Sequence, residues 1–302
     1  MKRLSLVISI LFFSLLTLQA QTTVDTLYKE SDRVLTIRLN NRAFGLGFGR
    51  QTHHVSYLSP LLYSGKDYEF WFENIKPHVI KNNSFYSVVN NRVSVSVMMP
   101  TNESFYLDSY YDVFEYHYYY DKRITNNFHI LCGAYAGFEG GTDMMLSNSN
   151  NPVYVRVEFN LLGLSFRPTL QFQTKRRIIK LSDQFAFRLA GINFSPTYTQ
   201  LYYDLTLKDY DKSEFFDFNS LSEKVRFANK LMAEIPLKKM TLRVGMLAER
   251  SKSMINMIDN RTTNVQVLFG FSYDYIHFSG RINKMKSQEF LNTKPDFKIE
   301  IE

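Results

Sequence analysis

Along most of the chain, apolar and polar side chains alternate residue by residue, the period of a β-strand whose two faces meet different surroundings. Val89, Val93, Val95 and Val97 share one face, against Asn90, Arg92, Ser94 and Ser96. Phe114, Tyr116, Tyr118 and Tyr120 oppose Glu115, His117, Tyr119 and Asp121. Phe128, Ile130, Cys132, Ala134, Ala136 and Phe138 oppose His129, Gly133, Tyr135 and Glu139. Val153, Val155, Val157, Phe159 and Leu161 oppose Tyr154, Arg156, Glu158 and Asn160. Phe185, Phe187 and Leu189 oppose Gln184, Ala186 and Arg188, and after Ser195-Pro196 the residues Gln200, Tyr202 and Asp204 oppose Leu201, Tyr203 and Leu205. The same design recurs in Val225–Ala233, Leu242–Met246, Val265–Phe271 and Phe297–Ile301. No helix-period segment of useful length interrupts it.

The N-terminal part is less regular. Asn40-Asn41 predicts a two-residue turn into Phe44-Gly45-Leu46-Gly47-Phe48-Gly49, whose glycines face away from the apolar residues, as a curved strand or a close backbone approach requires. Ser64-Gly65-Lys66-Asp67 carries turn chemistry, and Tyr68, Phe70 and Phe72 then oppose Glu69, Trp71 and Glu73. At Leu162-Gly163 the apolar parity flips from odd to even positions. A two-residue hairpin pairing Leu161 with Leu164 explains the flip, and so does one long strand with a bulge. The same choice arises at Asp274-Tyr275.

Connections predicted from the pattern alternate in length: 139–152 long, 162–163 short, 175–183 long, 194–197 short, 208–223 long, 236–239 short, 251–263 long and 274–275 short. That asymmetry separates a soluble sandwich, which alternation alone fits equally, from an antiparallel transmembrane β-barrel with short periplasmic turns and long external loops. The expected fold is all-β, a barrel of about 12–14 strands within a range of roughly 10–16, with strands of about 9–12 residues. Ser195-Pro196 then falls on the periplasmic rim.

Composition agrees with strands. Aromatic residues make up 16%, with 20 Tyr and 26 Phe against a single Trp, and such side chains suit a pleated, half-buried surface. Residues 1–20 read as a secretory signal: Lys2-Arg3, an apolar run from Leu4 to Leu18, and Ala20 at the expected cut. The domains are thus a signal peptide over 1–20 and a single barrel over 21–302, placed in the outer membrane. The precursor's formal charge of +7 suits anionic lipopolysaccharide, and the scatter of its basic residues argues against nucleic acid. The implied partners are outer-membrane lipid, lipopolysaccharide and the barrel-insertion machinery. Cys132 is the one cysteine, which excludes an intramolecular disulfide and a multi-cysteine zinc site; no cofactor is implied.

Candidate chemistry is sparse. His53-His54 could pair on a metal, but adjacent strand residues point to opposite faces. Glu115 and His117 share a face, and a serine from a neighbouring strand would complete a lipase-like triad. Arg92, Glu115, Arg156, Glu158, Arg167, Arg188, Asp204, Arg226, Lys230, Glu234 and Arg243 fall on the lumen side, where mixed signs fit an ion-paired interior or a polar pore. Tyr116, Tyr118 and Tyr120 resemble an interfacial girdle.

Several segments resemble an uncharacterised, domain-of-unknown-function family of secreted proteins from Bacteroidales-type bacteria. They are Tyr57-Leu58-Ser59-Pro60-Leu61 with Tyr63-Ser64-Gly65, then Asn150-Asn151-Pro152, Phe194-Ser195-Pro196 with Tyr198, Gln200, Tyr202 and Tyr203, and Leu242-Arg243-Val244-Gly245. Thr199 stands where that family is expected to carry glycine. The resemblance implies an outer-membrane β-barrel and supplies no activity. Three functions therefore stand side by side: a structural or transport barrel without catalytic activity, a membrane-embedded lipid hydrolase, and a soluble exported sandwich that binds glycans.

Overall fold

A computed structural model of the chain describes residues 34–37, 40–80, 83–100, 106–125, 127–145, 152–173, 178–195, 215–237, 240–275 and 298–301. Its strands are β1 (Val34–Ile37), β2 (Asn40–Val55), β3 (Tyr63–Ile80), β4 (Asn83–Pro100), β5 (Leu107–Arg123), β6 (Phe128–Met144), β7 (Val153–Gln173), β8 (Ile178–Phe194), β9 (Phe216–Asn219), β10 (Lys224–Pro236), β11 (Thr241–Ile255), β12 (Ile258–Tyr275) and β13 (Lys298–Ile301). From β2 to β8 each strand pairs antiparallel with the next, and β10, β11 and β12 continue the sheet. Pairing of β12 with β2 and of β8 with β10 closes it. Ten strands make this cylinder, with β9 added to β8 at one rim. Closure removes both sheet edges, so the backbone donors and acceptors of the wall are satisfied within it.

The barrel is inside out relative to a soluble protein. Phe44, Leu46, Phe48, Phe70, Val95, Phe114, Phe159, Phe166, Phe227, Val267 and Phe269 are each at least 40% exposed on the outer wall. Arg188, Arg226, Arg243, His53 and His117 are among the most completely buried side chains. The alternation therefore separates an apolar exterior from a charged interior. Val95 and Val97 are exposed while Ser94 and Ser96 are buried, and the same holds of Phe114 against Glu115.

One rim carries the connections 81–82, 124–127, 174–177 and 237–240. It is also where β2 begins and β12 ends, with Asn40 paired to Tyr275. At the opposite rim β4, β6 and β8 end and β5, β7 and β9 begin, alongside the connection 56–62 and the two-residue turn Asn256-Met257. A long-loop rim and a short-turn rim exist as expected, but several assignments change. The ten wall strands are 13–21 residues long, so they consume segments that read as loops, and ten strands, the low end of the expected 10–16, suffice in place of 12–14. Leu162-Gly163 is a bulge inside the 21-residue β7, and its extra residue is what flips the parity. Residues 251–263 hold a tight turn inside a long hairpin. Ser64–Asp67 lies within β3 and Asn40-Asn41 within β2. The connection after β7 is short, and Ser195 sits on the long-loop rim, not on the short-turn rim. Ile299 and Ile301 pair in parallel with Leu35 and Ile37, and not with the barrel. Asp274-Tyr275 is not a turn but the end of β12, paired with Asn41 and Asn40. The hairpin partner Gln200–Leu205, Asp204, Thr199, the leader and Ile276 lie outside the described residues.

The seam between β8 and β10 differs from the rest of the wall. Its ladder runs only from Phe187↔Phe227 to Lys180↔Glu234, after which β8 pairs with β9 from Gly191↔Asn219. The chain at 220–223 turns out of the wall between those two ladders. The guanidinium of Arg188 fills the interval, donating to the Lys224 carbonyl at 3.4 Å and to the side-chain oxygen of Asn219.

Candidate functional site

The interior is the place where chemistry could occur. Near the short-turn rim, Glu73 accepts from Lys230 and Arg243 at 2.6 Å each and from Arg167 at 3.5 Å. Glu234 shares Arg243 at 2.8 Å and Arg167 at 3.9 Å. The next tier is organised on Arg226, which reaches Glu139 at 2.5 Å, Glu249 at 2.6 Å and Glu115 at 2.8 Å. Arg92 ties Glu249 at 2.7 Å to Glu69 at 3.3 Å. Lys224 bridges Glu139 and Glu158, and Glu158 holds Arg188 at 2.6 Å. Closer to the long-loop rim, Asp143 collects His53 at 3.1 Å, Arg156 at 3.2 Å and the Ser109 hydroxyl at 2.6 Å. Each charge in these tiers has an opposite charge at hydrogen-bond range, as burial away from water demands.

The lumen is filled at this level. A cavity of about 40 Å³ remains beside Arg92, Glu139, Glu158 and Lys224, enough for a water molecule and too small for a solute. Beyond it, toward the long-loop end, Val55, Tyr57, Leu58, Tyr63, Met98, Leu107, Met145, Tyr154 and Ile258 pack as one buried apolar cluster. Tyr57 lies against Tyr154 with ring centroids 5.4 Å apart. At the short-turn end a vestibule of about 490 Å³ opens, lined by Asp121, Arg123, His129, Arg167, Lys180, Glu234, Arg243 and Asp274 among others. It ends on the Glu73 tier.

Every lumen charge expected from parity lies inside, apart from Asp204, which is outside the described residues. Asp67, Glu69, Glu73, Glu139, Asp143, Lys224 and Glu249 complete the network, and of these the alternation itself sets Glu69, Glu73 and Glu139 on the polar face. For Asp143 the masking signal is Gly140, Gly141 and Thr142, which remove the apolar face that would have marked a strand. Trp71 is packed inside too. A methyl group on Gly45 or Gly270 would lie 2.6 or 2.5 Å from its ring, so those paired glycines create the space it fills.

Glu115 and His117 do meet, with His117 Nε2 3.1 Å from Glu115 Oε2. The other ring nitrogen lies 3.1 Å from the Tyr119 hydroxyl, which sits 2.7 Å from Ser165 Oγ. Ser165 in turn donates to the Phe185 carbonyl at 3.1 Å. The imidazole thus has both nitrogens occupied by other groups than serine, between the stacked rings of Tyr119 and Tyr135. A nucleophile must share a hydrogen bond with its base, and this arrangement is a packed polar chain. His53 and His54 diverge as expected: His53 bonds Thr262 and Asp143 inside, while His54 reaches the Leu61 carbonyl outside. Among the described residues, His, Cys, Asp and Glu form no group of three that could hold a metal ion.

The sequence matches the model of a protein family of unknown function, DUF3316, over residues 4–282. The chain belongs to that family. No curated protein matches the sequence. Among solved structures, the outer membrane protease OmpT from Escherichia coli is similar over 78% of this chain and 97% of its own, at 9% identity and a TM-score of 0.42. The β-domain of the Bordetella autotransporter BrkA is similar over 78% of this chain and 100% of its own, at 7% identity and a TM-score of 0.40. The transport unit of the autotransporter AIDA-I from Escherichia coli covers 84% of this chain at 6% identity and a TM-score of 0.39.

Proposed function

We propose that this DUF3316 member is an integral outer-membrane β-barrel with a closed lumen, acting as a structural or surface-presenting element rather than as an open pore or an enzyme. The observation that carries the reading is the belt of exposed Phe, Leu, Val and Tyr around an interior whose buried charges are ion-paired. In water that belt is an aggregation surface of a size monomeric soluble proteins avoid; in hydrocarbon it is the expected lipid face. Export by residues 1–20 and handling by barrel-insertion machinery belong to the same proposal. So does the orientation, with the short-turn rim and vestibule on the periplasmic side. The apolar cluster around Tyr57 and Tyr154 together with the Arg226 tier favours a sealed barrel over a transport role.

The test is direct. Membranes washed in carbonate should retain the protein, it should migrate faster on gels before boiling than after, and planar bilayers holding it should show no unitary conductance. Recovery in the periplasmic soluble fraction would sink the membrane reading. Stable conductance steps would instead sink the closed lumen while leaving the barrel intact.

A further inference from the structure

On four neighbouring strands the outer apolar belt ends in basic residues at the long-loop rim. Along β2 the outward series Phe44, Leu46 and Phe48 continues as Arg50, and along β3 Phe70 and Tyr68 continue as Lys66. Along β11 Met246 is followed by Arg250 and Lys252, and along β12 Val265 by Thr263 and Arg261. The ladders put these side by side. Arg50 faces Lys66, Lys252 faces Arg261, and Arg250 faces Thr263, which faces Thr52. All five basic side chains are exposed.

Two like-charged pairs lie directly opposite each other across adjacent strands, an arrangement that costs stability on its own. Arg261 is partly offset by Asp259 at 2.5 Å, and Arg50 donates to the Ser64 hydroxyl at 3.0 Å. Lys66, Arg250 and Lys252 form no ion pair among the described residues. The lumen shows the contrast, since charges there are matched within hydrogen-bond range. Among the described residues this band has no matching set of anions, which leaves it open to one from outside the protein.

We propose that the band formed by Arg50, Lys66, Arg250, Lys252 and Arg261 binds the phosphorylated headgroup of a diphosphoryl glycolipid of the lipid A type in the leaflet at this rim. The proposal rests on the membrane-barrel reading above. Guanidinium forks match phosphate oxygens in two-point contacts, and ammonium groups add point charges. Two basic pairs suit two phosphates, where a single-phosphate lipid would leave one pair uncompensated. Thr52, Ser64 and Thr263 offer hydroxyls between the charges for a sugar ring. The acyl chains would descend over Phe48 and Tyr68, whose rings meet edge to face 6.1 Å apart.

The experiment is native mass spectrometry of the full chain purified in detergent, titrated with diphosphoryl lipid A, with phosphatidylglycerol and with phosphatidylcholine. The triple variant Arg50→Gln, Lys66→Gln, Lys252→Gln is the probe, and Lys122→Gln at the other rim is the control. Lipid A should bind the native chain and the control alike, and the triple variant roughly a hundredfold more weakly. Undiminished binding to the triple variant, or phosphatidylglycerol binding as tightly as lipid A, overturns the site. Heat-modifiable migration is recorded on the same samples. Its loss in the native chain marks failure of the barrel reading, whereas its retention with no lipid preference marks failure of the site alone.

Discussion

Neutralising Glu73 tests the ion-paired lumen at its most connected carboxylate. Glu73→Gln keeps the shape and removes the charge that Lys230, Arg243 and Arg167 share. Arg243 and Arg167 retain Glu234 at 2.8 and 3.9 Å, and both border the vestibule, where solvent can partly solvate them. Lys230 retains no carboxylate among the described residues, and its ammonium lies 5.9 Å over the Trp71 ring. Removing one partner of a buried pair costs about 3–5 kcal/mol, chiefly through the charge left behind. With the arginines screened, the expected loss is about 3 kcal/mol. Urea unfolding in lipid vesicles, followed by fluorescence of the single Trp, measures it. Adding Lys230→Met removes the stranded cation and should restore most of the loss, giving a coupling of at least about 1.5 kcal/mol in the double-mutant cycle. A Glu73→Gln cost below about 1 kcal/mol, or additive single and double changes, would refute a lumen held by paired charges.

Other perturbations address separate parts of the wall. Gly270→Ala drives a methyl toward Trp71 at 2.5 Å; it should destabilise by about 1–3 kcal/mol and shift the Trp71 emission, which an unaltered spectrum would contradict. Met257 sits at φ 64° in the β11–β12 turn and is 74% exposed, so Met257→Gly should raise stability by about 1 kcal/mol in the same urea assay. In the exposed 220–223 turn, the Ser220 backbone N–H and the Ser222 and Ser220 hydroxyls hold the Glu223 carboxyl down to about 2. Because the folded value is lowered, the turn's contribution is complete above the unfolded carboxylate range near 4.5 and is lost as pH falls through about 2. The Ser220 amide shift should report that titration, and Glu223→Gln should abolish it.

The fold class was readable because the apolar outer wall and the charged lumen make opposite demands on successive residues. Phe114 against Glu115 and Val95 against Ser94 carry that signal plainly. It fades where a strand rises past the apolar belt, since both faces are then polar: Ser251–Thr263 and Glu139–Asp143 read as loops and are strand or tight turn. The ten strands fall at the low end of the expected 10–16, below the favoured 12–14, partly because one strand with a bulge at Leu162 mimics two. Of the interior network, the members on strong alternations were legible and their partners were not. Which carboxylate meets which guanidinium depends on strand tilt and neighbour order across the lumen. His117 illustrates the limit: its proximity to Glu115 follows from spacing, whereas Tyr119 in place of serine at its other nitrogen does not.

The seal between β12 and β2 also bears on how the molecule can come into being. Every residue from Asn40 to Val55 pairs with the run from Tyr275 to Asn260, so the first barrel strand waits for the last. Until then β2 presents a sixteen-residue unpaired edge with Phe44, Leu46 and Phe48 along it, a template for wrong pairing. Joining segments more than 200 residues apart also requires the whole loop-closure entropy before any of that ladder forms. Assembly should therefore be slow and nearly all-or-none, and the waiting edge is where an escort protein would have to act.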